Sequence, residues 1–236
     1  LPGGGYHGHW TRNLQLSHDQ KHLFITVGSG SNVAEDEGDM ALEDRRASVL
    51  RIDLNGQNEV LFCSGIRNPV GMDIEPQTGD LWTVVNERDG LGDDLVPDYL
   101  TRVNQGDFYG WPWVYWGEYP DPRHENVSAE LIEKTSVPTY ALKAHSASLG
   151  LCFYEGEMLP KEFQGAAIIG QHGSWNRSKL SGYKVVYVPF TDGEPSGEMQ
   201  DLVWGFIEND DAGKCYGRPV GVQEWTDGSL LIADDD

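Results

Sequence analysis

Several polar residues that could do chemistry stand just before four apolar segments that recur along the chain. They are His9, Arg67 followed by Asn68, His145 and Arg218. An imidazole can remove a proton from a hydroxyl group, and a guanidinium group binds a carboxylate through two parallel hydrogen bonds. If the four segments are neighbouring strands around one axis, these side chains converge on a site for a planar anion. The alternative is that each residue caps a strand or pairs with an acidic residue.

His9 lies in the stretch GHWTRNL, ahead of the first apolar segment. Histidine ordinarily titrates near neutral pH, which suits a general base that takes a proton from a hydroxyl. His7 is a neighbouring candidate for the same role. A lone histidine in a sequence is more often structural, so catalysis by His9 is a hypothesis at this point.

Two loops carry further candidates. The stretch NERDGLGDD, at Asn86–Asp94, is rich in carboxylates and glycines. Hard cations such as Ca²⁺ accept carboxylate and backbone carbonyl oxygens together, although this loop does not match an EF-hand and a solvated acidic turn is the alternative. The stretch GQHGSWNRS offers side chains that could contact a ligand at the same rim, or pack within the loop: His172, Trp175 and Arg177.

Pairs of apolar strands separated by polar turns recur four times and must position these residues. The four segments are LQLSHDQKHLFITVG, VGMDIEPQTGDLWTVV, LGLCFYEGEMLPKEFQGAAIIG and VGVQEWTDGSLLIAD. Their alternation and their turn residues predict four β-hairpins. Three of the hairpins are followed by another predicted strand, a pattern typical of the blades of a β-propeller. We therefore predict an all-β fold, with one incomplete propeller domain over residues 1–236.

Two long insertions interrupt the strand pattern. The stretch Gly30–Asp44 is acidic and is predicted to be a loop. The stretch Trp113–Lys143 is rich in proline and aromatic residues, and Ala129–Lys134 within it is predicted to form about one helical turn. No low-complexity linker divides the chain, which supports a single domain.

Charge and composition exclude several classes of partner. The chain carries 17 Lys and Arg against 38 Asp and Glu, and its formal net charge is −21. Such a surface repels phosphate backbones, so we expect no nucleic-acid partner. No run of about 18 apolar residues is present, so no membrane span is predicted. Cys63, Cys152 and Cys215 form no zinc motif, although one pair of them could form a disulfide.

A series of motifs, in order along the chain, resembles one known family. The motifs are HWTRNL, RNPVGM, VNERDGLGDDLVPDYLTRV, GDFYGWP, HSASLGLCFY, HGSWNRS, GYKVVYVPF and GRPVGV. From about Gly8 to Asp234 the chain resembles the sorbosone dehydrogenase-like branch of soluble sugar dehydrogenases that use pyrroloquinoline quinone (PQQ). The resemblance implies a six-bladed propeller with PQQ over the mouth of its channel. At roughly 40–60 residues per blade the chain supplies about four blades, so we expect both ends to be cut from a longer protein.

The resemblance also implies roles for individual residues. His9, with Thr11 two positions on, matches the base that takes the substrate proton. The backbone carbonyls that hold Ca²⁺ beside PQQ fall at about Arg88 and Asp89. The contacts to PQQ fall on residues before the inner strands and in the HGSWNRS loop: Arg67, Asn68, His145, His172, Arg177 and Arg218.

The implied activity is oxidation of a sugar, or of a sugar-derived alcohol or aldehyde, of the sorbosone or aldose type. Hydride would pass to PQQ while Ca²⁺ and Arg67 polarise the quinone oxygens. The implied partners are a small sugar substrate and a soluble electron acceptor, and the implied location is periplasmic or secreted. A Ca²⁺-dependent propeller lactonase and a non-catalytic binding propeller are the alternatives.

Two departures from the family pattern are visible in the sequence. Val70 stands where the glucose enzymes carry a polar residue after the Arg-Asn-Pro motif. The loop after the first hairpin reads SGSNVAED, where the sorbosone branch often carries a pair of cysteines. The second departure removes a local disulfide without touching the chemistry.

Overall fold

Antiparallel β-strands dominate the computed structural model, which describes Pro2, His9 and residues 12–235. The predicted all-β class is confirmed. The helical elements are α1 (Glu37–Ala41), α2 (Ala129–Glu133) and a 3₁₀ turn at Lys161–Phe163. The strands are β1 (Leu14–Leu16), β2 (His22–Val27), β3 (Ser48–Asp53), β4 (Val60–Ser64), β5 (Asn68–Ile74), β6 (Leu81–Asn86), β7 (Pro97–Arg102), β8 (Val114–Tyr115), β9 (Tyr119–Pro120), β10 (Tyr140–Ala144), β11 (Ser148–Phe153), β12 (Ala167–Gln171), β13 (Lys184–Val188), β14 (Phe190–Thr191), β15 (Glu194–Pro195), β16 (Gln200–Val203), β17 (Ile207–Asn209), β18 (Lys214–Cys215), β19 (Pro219–Glu224) and β20 (Leu230–Asp234).

The larger sheets follow one another along the chain. The first sheet has the order β1-β2-β3-β4, the second β5-β6-β7-β10 and the third β11-β12-β13-β16, and β19 pairs with β20 alone. Every one of these pairings is antiparallel. The four predicted hairpins and the three predicted third strands are all present. This succession of meandering sheets is the arrangement of propeller blades, and the closed six-bladed ring stays a prediction.

Side chains of the turn residues fix the hairpins locally. In the β5–β6 turn, one carboxylate oxygen of Glu75 accepts hydrogen bonds from the backbone N–H of Gln77 (3.1 Å) and from both the N–H (2.7 Å) and the hydroxyl (2.9 Å) of Thr78. Gly79 follows with a φ of +77°, a left-handed conformation that glycine adopts without a Cβ penalty. These contacts fix the register, in which Ile74 faces Leu81.

Inner strands of successive sheets approach one another closely at glycines. A Cβ on Gly71 of β5 would lie 2.7 Å from the backbone nitrogen of Leu151, on β11. A Cβ on Gly150 of β11 would lie 2.3 Å from the carbonyl oxygen of Val220, on β19. Apolar side chains fill the space between the second and third sheets, among them Trp82, Leu100, Leu151, Ile169 and Val186. This packing brings the ends of the inner strands to one face.

The two insertions fold back on the sheets. Ala129–Glu133 forms the predicted short helix, with Ser128 as its N-cap. The stretch Gly30–Asp44 is more ordered than the predicted loop, because it contains α1. Asp36 caps that helix by accepting a hydrogen bond from the backbone N–H of Asp39 at 2.8 Å. An aspartate that caps the first turn satisfies a backbone donor that would otherwise face water.

Buried thiols lie in separate cores. Cys63 packs in the cluster between the first and second sheets, and Cys152 packs in the cluster between the third sheet and the β19–β20 hairpin. Both are free, so the disulfide that a cysteine pair could form does not join these two. Burial raises the pKa of each thiol to about 12, which keeps both protonated and unreactive.

No helix in the described part of the chain is long and apolar enough to cross a membrane.

Candidate active site

A cavity of about 360 Å³ lies where the ends of the inner strands meet. That volume is within the range of small-molecule sites in proteins. Six of the residues to which the resemblance assigns a catalytic, cofactor-binding or metal-binding role line it, namely His9, Arg67, Asn68, Asp89, His145 and His172. Polar and aromatic residues from the same strand ends and loops complete the lining, among them Asn86, Glu87, Asp98, Trp175, Asn176 and Asp235.

A larger groove of about 610 Å³ lies beside the second and third sheets. Among the predicted site residues that the structure describes, only Arg177 borders it. The smaller cavity is therefore the candidate site, because it is the one that gathers the imidazole, amide and guanidinium groups.

His9 is half-buried at the cavity wall, and its ring is held from one side. Its Nδ1 atom lies 2.9 Å from the hydroxyl oxygen and 3.2 Å from the carbonyl oxygen of Ser29. Burial and the positive charge of Arg67 lower the pKa of His9 to about 3. The expectation of a near-neutral pKa is thus wrong, because desolvation and a neighbouring cation both disfavour the imidazolium. His7 and Thr11 lie outside the described residues.

Gly28, just after β2, leaves room for the side chains of His9 and Asn68. A Cβ at Gly28 would lie 2.2 Å from Oδ1 of Asn68 and 2.7 Å from Cβ of His9. We expect Gly28→Ala to push both side chains aside and to destabilise the fold by about 1–3 kcal/mol, the usual cost of overpacking. Denaturant unfolding measures this loss. Gly221→Ala is the control, since its nearest side chain would be in ordinary contact at 3.7 Å. Equal losses in the two variants would contradict the prediction.

Arg67 is 3% exposed, and its guanidinium group holds the neighbouring loops. It donates to the carbonyl oxygens of Asn86 (3.1 Å) and Glu87, and to the carbonyl and side-chain oxygens of Asn32 (3.1 and 2.9 Å). Its Nη2 atom also lies 3.7 Å from a carboxylate oxygen of Asp89. Arg67 therefore organises the loop of residues 86–94, called the acidic loop below, as well as placing positive charge at the cavity.

Asn32 connects Arg67 to Asp89 through hydrogen bonds, and the sequence motifs did not predict this role. Its Oδ1 accepts hydrogen bonds from Arg67 and from the backbone N–H of Asp89 (2.9 Å), and its Nδ2 donates to the carbonyl oxygen of Asp89 (3.1 Å). Its own carbonyl oxygen accepts from Nε1 of Trp111 at 3.0 Å. Asn32 lies in the first insertion, outside the repeated strand pattern, so spacing could not reveal it. The only local signal is an amide side chain, which can donate and accept at once, in a glycine- and serine-rich stretch.

The acidic loop presents Asp89 to the cavity and turns the Arg88 side chain away. Oδ1 of Asp89 lies 3.1 Å from Nδ1 of His145 and accepts a hydrogen bond from Nδ2 of Asn176 at 2.7 Å. Nε2 of His145 lies 2.9 Å from the carbonyl oxygen of Gly92, so His145 links two points of the loop. The described residues contain no group of three or more His, Cys, Asp and Glu side chains placed to hold a metal. A site built on backbone carbonyls, as predicted for Arg88 and Asp89, is a different arrangement and stays a prediction.

Two buried carboxyl groups, Glu87 of the loop and Asp98 of β7, also line the cavity. Burial raises the pKa of Glu87 to about 7, although the charge of Arg67 opposes this shift. Burial also raises the pKa of Asp98 to about 6, against hydrogen bonds from the backbone of Glu87 and the hydroxyl of Ser146. Burial thus disfavours the charged form of both carboxyl groups, and a cation bound beside them would offset that cost.

The remaining predicted residues lie at the rim of the cavity or behind it. His172 lines the cavity, with Nε2 at 3.1 Å from a carboxylate oxygen of Asp235. Arg177 holds the acidic loop from outside by donating to the carbonyl oxygen of Asp93 and to the carboxylate of Asp94. Arg218 donates to the carbonyl oxygens of His172 and Gly173, and its guanidinium group lies over the ring of Tyr183. Arg177 and Arg218 border a neighbouring pocket rather than the candidate site.

Comparison with known proteins places the chain in a family. The sequence model of the family described as Glucose / Sorbosone dehydrogenase matches residues 2–189. The chain belongs to this family.

Three similar proteins illustrate the range of the relationship. An uncharacterized protein of Borreliella burgdorferi is 30% identical over 100% of this chain and 60% of its own length. A pyrroloquinoline quinone-dependent pyranose dehydrogenase of Coprinopsis cinerea is 26% identical over 97% of this chain and 38% of its own length. The calcium structure of a Trichoderma reesei protein of Carbohydrate-Active Enzymes Family AA12 has a TM-score of 0.81, with 21% identity over 98% of this chain and 67% of that chain. The structural likeness shows a shared fold. The matched regions cover between 28% and 60% of the length of the curated relatives.

Proposed function

We propose that the protein is a PQQ- and Ca²⁺-dependent dehydrogenase that oxidises a sugar, or a sugar-derived alcohol or aldehyde. One observation carries the proposal: the imidazole of His9 lies at the wall of a polar cavity that is also lined by a buried arginine, Arg67. An unprotonated base and a fixed positive charge suit the removal of a proton from an alcohol hydroxyl and of a hydride from the carbon that bears it. Membership of the glucose/sorbosone dehydrogenase family supports the same reaction class.

The residues around the cavity fit both groups. The side-chain oxygens of Asn68 and Asn176 are buried and accept no hydrogen bond from the described residues. Such amide oxygens, together with carboxylate and carbonyl oxygens of the Asp89 loop, are ligands that Ca²⁺ accepts. Arg67, which lines the cavity, supplies positive charge that would attract an acidic quinone.

The proposal gives each of the main cavity residues a specific role. His9 accepts the hydroxyl proton of the substrate. Arg67 keeps the acidic loop in place through Asn32 and adds positive charge on the cofactor side, while His145 and Asn176 hold the carboxylate of Asp89. Bound PQQ supplies the acceptor for hydride, and Ca²⁺ supplies Lewis-acid polarisation of the quinone. The exposed Trp175 lies at the mouth of the cavity.

The proposal also covers the substrate, the ion, the electron acceptor and the cellular location of the protein. The family description and the Coprinopsis cinerea relative support an aldose, pyranose or sorbosone-type substrate. The calcium in the Trichoderma reesei structure supports the proposed ion. We further propose a soluble electron acceptor and a periplasmic or secreted location.

Reconstitution tests the function directly. The protein is mixed with PQQ, with and without Ca²⁺, and the absorbance and fluorescence of PQQ are recorded before and after addition of glucose, other aldoses or sorbosone. We expect a Ca²⁺-dependent shift that chelation reverses, followed by reduction of the quinone by at least one sugar. The absence of any Ca²⁺-dependent PQQ signal would contradict the proposal. Hydrolysis of a lactone without PQQ would favour the lactonase alternative.

Arg67→Lys extends this test to a single residue. Lysine is a point charge and cannot reproduce the forked hydrogen bonds to Asn32 and the loop carbonyls. We expect PQQ to bind about tenfold to a hundredfold more weakly, the scale of one or two charge-assisted hydrogen bonds. Arg51→Lys, on β3 and outside the cavity lining, is the control and should bind PQQ as the parent protein does.

A further inference from the structure

Ser29 is a buried serine that lies between two strand ends. It follows β2 after Gly28 and has no exposed surface. Its backbone N–H donates to the carbonyl oxygen of Arg67, immediately before β5, at 2.8 Å. Ser29 is therefore held by the junction of the first two sheets, and it is not a mobile surface hydroxyl.

The single hydroxyl proton of Ser29 is already engaged. Its Oγ atom donates to the carbonyl oxygen of Ser31 at 2.6 Å. A serine hydroxyl has one hydrogen to donate, so Oγ can only accept from any other neighbour. The neighbour at 2.9 Å is Nδ1 of His9.

A second acceptor faces the same ring nitrogen. The carbonyl oxygen of Ser29 lies 3.2 Å from Nδ1 of His9, and a carbonyl oxygen has no proton to give. A lone pair on Nδ1 would face two oxygen lone pairs without any proton between them. The arrangement is satisfied when Nδ1 carries the hydrogen.

We propose that Ser29 is a positioning residue that holds His9 in the tautomer protonated at Nδ1, so that Nε2 carries the lone pair that accepts the substrate proton. A neutral imidazole has one N–H, so a proton fixed on Nδ1 leaves Nε2 as the basic atom. The identity of the proton donor rests on the proposed function; the tautomer itself does not.

The electrostatic surroundings keep the ring in the neutral state to which a tautomer applies. Besides burial, the positive charges of Arg67, Arg46 and Arg12 disfavour a second proton, and the hydrogen bond with the Ser29 backbone opposes them only in part. These three arginines belong to three different segments of the chain, so no single strand sets the electrostatic field at the ring. Ser29 contributes the direction of the ring and the location of its proton.

Nitrogen NMR of the ¹⁵N-histidine-labelled protein without PQQ tests the assignment. His9→Gln identifies the His9 signals among those of the seven histidines. We expect Nδ1 to show the shift of a protonated ring nitrogen and Nε2 that of an unprotonated one. Ser29→Ala removes the better acceptor and should change the tautomer ratio about tenfold, the scale of one neutral hydrogen bond.

Ser48→Ala is the matched control, because Ser48 is an equally buried serine whose hydroxyl donates to a carbonyl and does not contact His9. It should leave the His9 shifts unchanged. A wild-type His9 protonated at Nε2, or identical tautomer ratios with and without the Ser29 hydroxyl, would overturn the proposal. In PQQ-loaded protein, Ser29→Ala should lower kcat about tenfold with little change in KM. If PQQ does not bind but the expected tautomer is seen, the proposed function fails and the role of Ser29 stands.

Discussion

Replacing His9 by Gln is expected to lower turnover of the PQQ-loaded protein by about 10²- to 10⁴-fold, the usual contribution of a positioned general base. Glutamine keeps the polarity and approximate size of imidazole, so PQQ should remain bound. Turnover is measured per bound PQQ, which separates lost chemistry from lost cofactor. His22→Gln, on β2 and outside the cavity lining, serves as the control and should keep the parent rate. Equal turnover in the His9 variant would remove His9 from the mechanism.

The pH dependence of the same reaction follows from the burial of His9. Because its pKa in the folded protein is about 3, the imidazole is already a neutral base throughout the neutral range. We therefore expect no rate limb from His9 between about pH 5 and 8, in contrast to the near-neutral limb expected from an ordinary histidine.

The lowered pKa of His9 should instead affect how the free energy of unfolding depends on pH. The unfolded chain binds a proton at His9 near pH 6.5, whereas the folded protein does so near pH 3. Between these values the unfolded state binds more protons, so stability falls as pH decreases through this window. His9→Gln should flatten that part of the stability curve. An unchanged slope would show that His9 titrates normally.

Asp121→Ala is expected to destabilise the protein by about 3–5 kcal/mol, because it leaves a buried guanidinium group without its counter-ion. Arg88 is 1% exposed and Asp121 is 3% exposed. Nε of Arg88 lies 2.8 Å from Oδ2 of Asp121, and Nη2 lies 3.3 Å from Oδ1. The pair ties the acidic loop, which carries Asp89, to the second insertion. Loss of the pair should therefore also loosen the acidic loop.

Denaturant unfolding measures this effect, with Glu130→Ala as the comparison. Glu130 pairs with Lys134 on the surface of α2, where an exposed ion pair contributes about 0.3–0.5 kcal/mol. The double variant Arg88→Met with Asp121→Leu should recover much of the lost stability, since it removes both buried charges together. A loss below about 1 kcal/mol for Asp121→Ala would mean that water reaches the Arg88 side chain.

The strand framework and the main members of the site could be predicted from the sequence. Alternation of apolar residues and turn chemistry such as Glu75-Pro76-Gln77-Thr78-Gly79 depend on contacts within a few residues, so the hairpins are encoded locally. The repetition of those hairpins also placed His9, Arg67 and His145 at one rim, because equivalent positions of successive sheets face the same end.

The tertiary structure alone decided how these groups are connected and charged. Asn32 is 57 residues from Asp89, and Asn176 is 87 residues from it, so no local pattern could reveal that both hold the same aspartate. Arg218 occupies the predicted position before its strand, yet its side chain turns to the carbonyl oxygens of His172 and Gly173. The pKa of His9 likewise depends on burial and on three arginines from separate segments. Side-chain direction and desolvation arise from packing between distant segments, and the sequence pattern of a single strand carries no record of them.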